Sequence, residues 1–145
     1  MADDAQRAQQ IARLIDLKSL ELDQASQRLQ AEARELTREQ AQLTRLETYC
    51  NEYQSPGDQP PAQPRLLAMR GAFVTQLRDG ISQQRQAVEA AQQRFNVAQA
   101  EWFRLRKLKE LLEKKLTELQ EARLMTYEKQ RDEEIQAFFQ YRQSR

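Results

Sequence analysis

Apolar residues recur every seven positions through the first third of the chain, at Ile15, Leu22, Leu29, Leu36 and Leu43. A second line sits three residues on, at Lys18, Ala25, Glu32, Glu39, Leu46 and Tyr53, and half of it is charged. A seven-residue apolar repeat under-winds a helix just enough to keep one seam facing a partner, and it predicts a left-handed coiled coil. With charge in that seam, the first helix, expected over about 4–54, is marginal alone and needs a partner.

The second segment carries a fuller seam: Val74, Leu77, Ile81, Gln84, Val88, Ala91, Phe95, Ala98, Trp102, Leu105, Lys109, Leu112, Leu116 and Leu119. Only Gln84 and Lys109 interrupt it. A pattern sustained over this many heptads predicts a second, longer helix, over about 66–141. Gly71 and Gly80 lie near its start. Each weakens a helix by up to about 1 kcal/mol, so fraying or bending is expected there.

All four prolines, Pro56, Pro60, Pro61 and Pro64, fall between the two segments. Proline removes a backbone donor and clashes with the preceding turn, so a loop over about 55–64 replaces helix. The predicted fold is all-α, a single domain formed by a long antiparallel two-helix coiled-coil hairpin. A loop centred near residue 60 makes paired positions total about 120, with the seams facing each other. Leu43 is then expected opposite Leu77, Leu36 opposite Gln84, Leu29 opposite Ala91, Leu22 opposite Ala98 and Ile15 opposite Leu105. On the other line the pairs are Leu46 with Val74, Ala25 with Phe95, and Lys18 with Trp102. In this register residue 4 meets residue 116. The paired stem spans about 75 Å, and a helical overhang adds up to about 40 Å. The overhang carries Leu119, Leu124, Met125, Tyr127, Ile135, Phe138, Phe139 and Tyr141. Exposed apolar side chains at helical spacing mark a binding face.

Composition agrees with a narrow seam rather than a globular core. Charged residues make up 31% of the 145, there are only three glycines, and the mean hydropathy is −0.92. Turn residues are too few for a β protein. No apolar run approaches the roughly 18 residues of a membrane helix, so no direct membrane insertion is expected. The opening MADDAQRAQQ lacks the apolar core of a secretion signal. A single cysteine, Cys50, forms no internal disulfide and fits a reducing cytosol. The net charge of +1 gives no strong field for nucleic acid or anionic lipid.

No catalytic constellation is expected. Without histidine there is no Ser-His-Asp or Cys-His set, and no glycine-rich phosphate loop is present. Glu32, Glu35 and Glu39 read as a solvated helix exterior, and Cys50 as a small seam residue. No metal or cofactor is expected. A basic cluster, Arg104, Arg106, Lys107, Lys109, Lys114 and Lys115, stands among Glu101, Glu110 and Glu113. Its readings are an ordinary charged exterior or contact with an acidic protein surface. Nucleic acid is the weakest reading, since no aromatic stacking platform accompanies the cluster. Near the loop, Tyr53 fits the seam while Tyr49 and Phe73 fall outside it. These rings either cap the seam or bind an external partner.

Five stretches carry a resemblance: YCNEYQ (49–54), FVTQLRDGISQQR (73–85), Trp102, RLRKLKELLEKK (104–115) and EKQRDEEIQAFFQYR (128–142). Together they resemble the FliJ family of the bacterial flagellar type III export apparatus. The resemblance implies a non-enzymatic protein of flagellum biogenesis, and hence of motility and chemotaxis. It implies a stalk similar to the gamma subunit of rotary ATPases, whose termini end enters the hexameric export ATPase and promotes its assembly. The hairpin end is then expected to bind the cytoplasmic linker of the export-gate membrane protein through Gln42, Leu46, Tyr49, Tyr53, Phe73, Leu77, Gly80 and Gln84. The ATPase-facing set is Arg104, Arg106, Lys107, Lys109, Lys114, Lys115, Leu119, Leu124, Phe138 and Phe139. The family further implies escort of export chaperones and a cytoplasmic place, peripheral at the inner membrane. The stalk of a virulence injectisome and a generic coiled-coil adaptor are the alternatives.

Overall fold

The computed structural model describes residues 2–54 and 63–144. Two helices account for them: α1, Ala2–Gln54, and α2, Pro64–Gln143. There is no strand among the described residues, and the second helix is the longer, as expected. Asp3 and Asp4 sit in the first turn of α1, where carboxylates meet the positive end of the helix dipole. Pro64 opens α2, a position where its missing N–H costs nothing. Arg142 occupies the last turn, complementing the negative end. The expected loop over 55–64, with Pro56, Pro60 and Pro61, lies almost wholly outside the described residues.

Two compact units divide the chain. In the unit formed by 25–102, the helices run antiparallel. Tyr53 meets Arg70 and Phe73, Glu39 meets Gln84, and Glu32 meets Arg94. Burial along α1 follows the predicted heptads, with Ala25 and Cys50 buried and Leu29, Leu36, Leu43 and Leu46 half-buried between them. Along α2, Ile81, Ala91 and Ala98 are buried, and Val74, Leu77, Val88 and Phe95 half-buried.

The register differs from the expectation by one helical turn. The Gln84 amide donates to the Glu39 carbonyl at 2.9 Å, and the Arg70 guanidinium donates to the Tyr53 carbonyl at 2.9 Å. Both pairs of numbers total 123, so Gln84 lies level with Glu39 and not with Leu36. In the same register Phe95 falls opposite Leu29 and not Ala25, while Ala25 and Ala98 share a layer. Ala98 is 1% exposed and Ala91 fully covered, as close backbone approach at small residues requires. The physical reason is the heptad itself. A half-heptad slip exchanges one seam line for the other and still keeps both helices' apolar faces together. Polar groups then choose between the alternatives.

No large side chain in the described residues is fully buried; the seam is shallow. α2 runs unbroken through Gly71 and Gly80, so neither glycine interrupts it. A Cβ built at either one meets nothing within 4 Å.

In the unit formed by 1–24 and 103–145, Ala8 and Leu105 are buried, and Ile11, Ile15, Lys18, Leu112, Leu116 and Leu119 half-buried. Asp4 shares a shallow groove with Gln120, Arg123 and Tyr127. Pairing therefore ends near Gln120, one turn beyond the expected residue 116. Every residue from Glu121 to Ser144 is exposed, although α2 remains helical to Gln143.

Candidate protein-binding surfaces

The first surface lies in the 25–102 unit. The rings of Tyr53 and Phe73 sit 4.7 Å apart at a 60° tilt, a contact that cross-braces the end of the helix pair. Both keep a face outward, with Tyr53 43% and Phe73 40% exposed. Capping and exposure therefore coexist at these rings. Tyr49, one turn before Tyr53, is 55% exposed. An open groove beside them is lined by Leu66, Met69, Arg70, Ala72 and Gln76. Leu66 and Met69, both exposed, belong to this apolar patch and escaped the sequence reading. They sit beside the prolines and outside the heptad seam, and only their apolar character in a polar context hinted at them.

The other expected gate-facing residues divide. Gln42 is exposed. Leu46 and Leu77 are half-buried in the seam, Gly80 is half-buried outside it, and the Gln84 amide is held by Glu39. Of the expected gate-facing set, Gln42, Tyr49, Tyr53 and Phe73 are exposed, and Leu66 and Met69 line the groove beside Tyr53 and Phe73. Cys50 is buried as an unpaired thiol, in agreement with its reading as a small seam residue.

The second surface lies in the other unit. Arg106 pairs with Glu110 at 3.2 Å and Lys109 with Glu113 at 3.9 Å, both across one helical turn. Such exposed pairs contribute little stability, about 0.3–0.5 kcal/mol each. Lys109 also belongs to the seam and is half-buried. Lys107, Lys114 and Lys115 are exposed and form no ion pair among the described residues. Arg104 is likewise exposed. The cluster is thus partly an ordinary charged exterior and partly a set of available cations.

Beyond it, Leu124, Met125, Tyr127, Phe138, Phe139 and Tyr141 are each more than half exposed, and Ile135 is 43% exposed. The Phe138 and Phe139 rings meet edge to face at 6.3 Å. Exposed apolar surface on this scale marks a candidate interaction site.

Among the described residues, no cluster of His, Cys, Asp or Glu has the arrangement of a metal site. No helix there is long and apolar enough to cross a membrane.

An antiparallel helical pair with exposed aromatic and apolar surfaces in each unit defines a coiled-coil interaction protein. The chain belongs to the FliJ family, matching the family described as Flagellar FliJ protein over residues 7–144. That membership makes it a component of flagellar type III protein export. No curated protein and no solved structure matches it.

Proposed function

We propose that this chain is a non-enzymatic stalk of the export apparatus that inserts its C-terminal helix into the hexameric export ATPase and promotes ATPase assembly. Through Tyr49, Tyr53 and Phe73 it engages the cytoplasmic linker of the export-gate membrane protein, and it escorts export chaperones. Its working place is the cytoplasmic side of the inner membrane. The observation that carries this reading is the exposure of α2 from Glu121 to Ser144. This segment is helical, unpaired by α1, and rich in apolar side chains, which suits insertion into a ring. The available cations at Lys107, Lys114 and Lys115 would meet an acidic rim. Both surfaces share α2 as a continuous element. The family supports the setting in flagellar export.

The test is turnover and oligomeric state of the cognate export ATPase, measured with and without the protein. The full chain should raise turnover and favour the hexamer, and a truncation after Leu119 should do neither while keeping its helicity. Unchanged turnover on addition of the full chain overturns the reading in favour of an adaptor role.

A further inference from the structure

The exposed part of α2 has its own heptad, distinct from the seam it shares with α1. Leu124, Tyr127, Arg131, Glu134, Phe138 and Tyr141 alternate at spacings of three and four, which places them on one stripe. Continuing the hairpin seam past Leu116 and Leu119 leads instead to Arg123, Thr126 and Gln130. The apolar stripe is therefore one residue, about 100°, out of phase with the seam; at its start Leu124 and Tyr127 flank the groove that Asp4 of α1 also lines, and beyond them the stripe is exposed.

Reversing this stripe keeps its apolar ends and exchanges its two central charges, so it is complementary to its own reverse. Apolar residues occupy the two outer layers at each end, and Arg131 and Glu134 occupy the middle. Laid antiparallel on an identical helix, Leu124 meets the partner's Tyr141 and Tyr127 meets the partner's Phe138. In the centre, Arg131 meets the partner's Glu134 and Glu134 meets the partner's Arg131. A parallel arrangement opposes like charges at both central layers. An isologous two-fold contact needs this self-complementarity. A charged central layer flanked by aromatics fixes register and orientation as a polar seam residue does in a coiled coil.

We propose that Leu124–Tyr141 of α2 forms an antiparallel, two-fold dimer contact with a second copy of this chain. The contact covers the docking helix when the ATPase is absent. Each aromatic side chain buries at most about 150–250 Å², so the whole contact is at the low end of specific interfaces, near 1,000 Å². A dissociation constant in the micromolar range is expected on that area, weak enough for exchange with another partner.

Sedimentation equilibrium on the full chain alone tests this without any ATPase. The weight-average mass should rise from about the monomer value of 17.1 kDa towards twice that over roughly 1–300 μM. Arg131→Glu alone and Glu134→Arg alone should each remain monomeric over this range, since each sets like charges opposite one another. An equimolar mixture of the two, and the double variant, should dimerise again. Circular dichroism controls for helicity. On a Cys50→Ser background, a nitroxide at Gln120 should report an inter-copy distance of about 35–40 Å for antiparallel pairing, from the helix rise. A wild-type monomer throughout, single variants that dimerise as well as wild type, or a nitroxide distance under about 20 Å overturns the proposal. Loss of dimerisation leaves the ATPase reading untouched, and failure to raise turnover leaves the dimer untouched.

Discussion

The side-chain amide of Gln84 donates to the main-chain carbonyl of Glu39 at 2.9 Å and also contacts its carboxylate. A helix carbonyl is normally satisfied by its own helix, so this extra donor from the facing helix marks a specific level at which the two strands meet. The Glu39 carboxylate also holds Arg38, which bridges to Glu35. One polar interruption of each seam, Glu39 and Gln84, therefore meets the other in a single layer.

Gln84→Ala should destabilise the protein by about 1 kcal/mol, the net worth of a typical hydrogen bond. Glu39→Leu with Gln84→Leu should recover or exceed wild-type stability, because an apolar layer replaces a partly desolvated polar one. Urea denaturation followed at 222 nm measures both. A neutral Gln84→Ala would mean that this layer does not fix register.

Phe95→Ala should cost about 2 kcal/mol, below the roughly 3–5 of a fully buried ring. Phe95 is only half-buried, and the seam is wet along its edges. Thermal and urea melts check the value; a loss above 4 kcal/mol would indicate burial by a further copy or partner.

Gly71→Ala should stabilise by about 0.5–1 kcal/mol, since alanine loses less backbone entropy on entering a helix. The site is exposed and open space awaits the methyl group. An increase in Tm with unchanged ATPase stimulation is the expected result.

Tyr49→Ala should leave stability nearly unchanged, whereas Phe73→Ala should lose about 0.5–1.5 kcal/mol with its ring partner Tyr53. Both should impair flagellar export in a motility and secretion assay. Export at wild-type level in the double variant would remove these rings from the proposed gate contact.

The Arg38 guanidinium hydrogen-bonded to Glu35 holds the Glu35 carboxyl below its ordinary value of 4.5. A lowered folded value means that the pair's contribution is complete above the ordinary value and is lost as pH falls through the folded one. Glu35→Gln should therefore lower Tm slightly at neutral pH, with the difference closing as pH falls from the ordinary value through the lowered folded one. The group is solvent-accessible, so the effect should shrink further in high salt.

Every position of the heptad lines read from the sequence is buried or half-buried, from Ile15 to Leu46 and from Val74 to Leu119, and flanking residues such as Ser26, Glu35 and Ala87 are half-buried beside them. Periodicity was legible because a helix turns every side chain by a fixed angle, so seam membership is a local property. The exposed surfaces were legible in part. Tyr49, Phe73 and the apolar residues after Leu119 stand outside the seam and have no buried place to go. Leu66 and Met69 were missed because nothing in their spacing separates a short exposed patch from the start of the seam.

What the sequence determined by itself is two helices, the longer one second, and the stripe along which each is covered. What only the tertiary structure decided is the level at which the stripes meet and the residue at which pairing stops. A seam that repeats every half-heptad is nearly as well satisfied one turn away. The choice falls to contacts between distant residues, Gln84 with Glu39 and Arg70 with Tyr53.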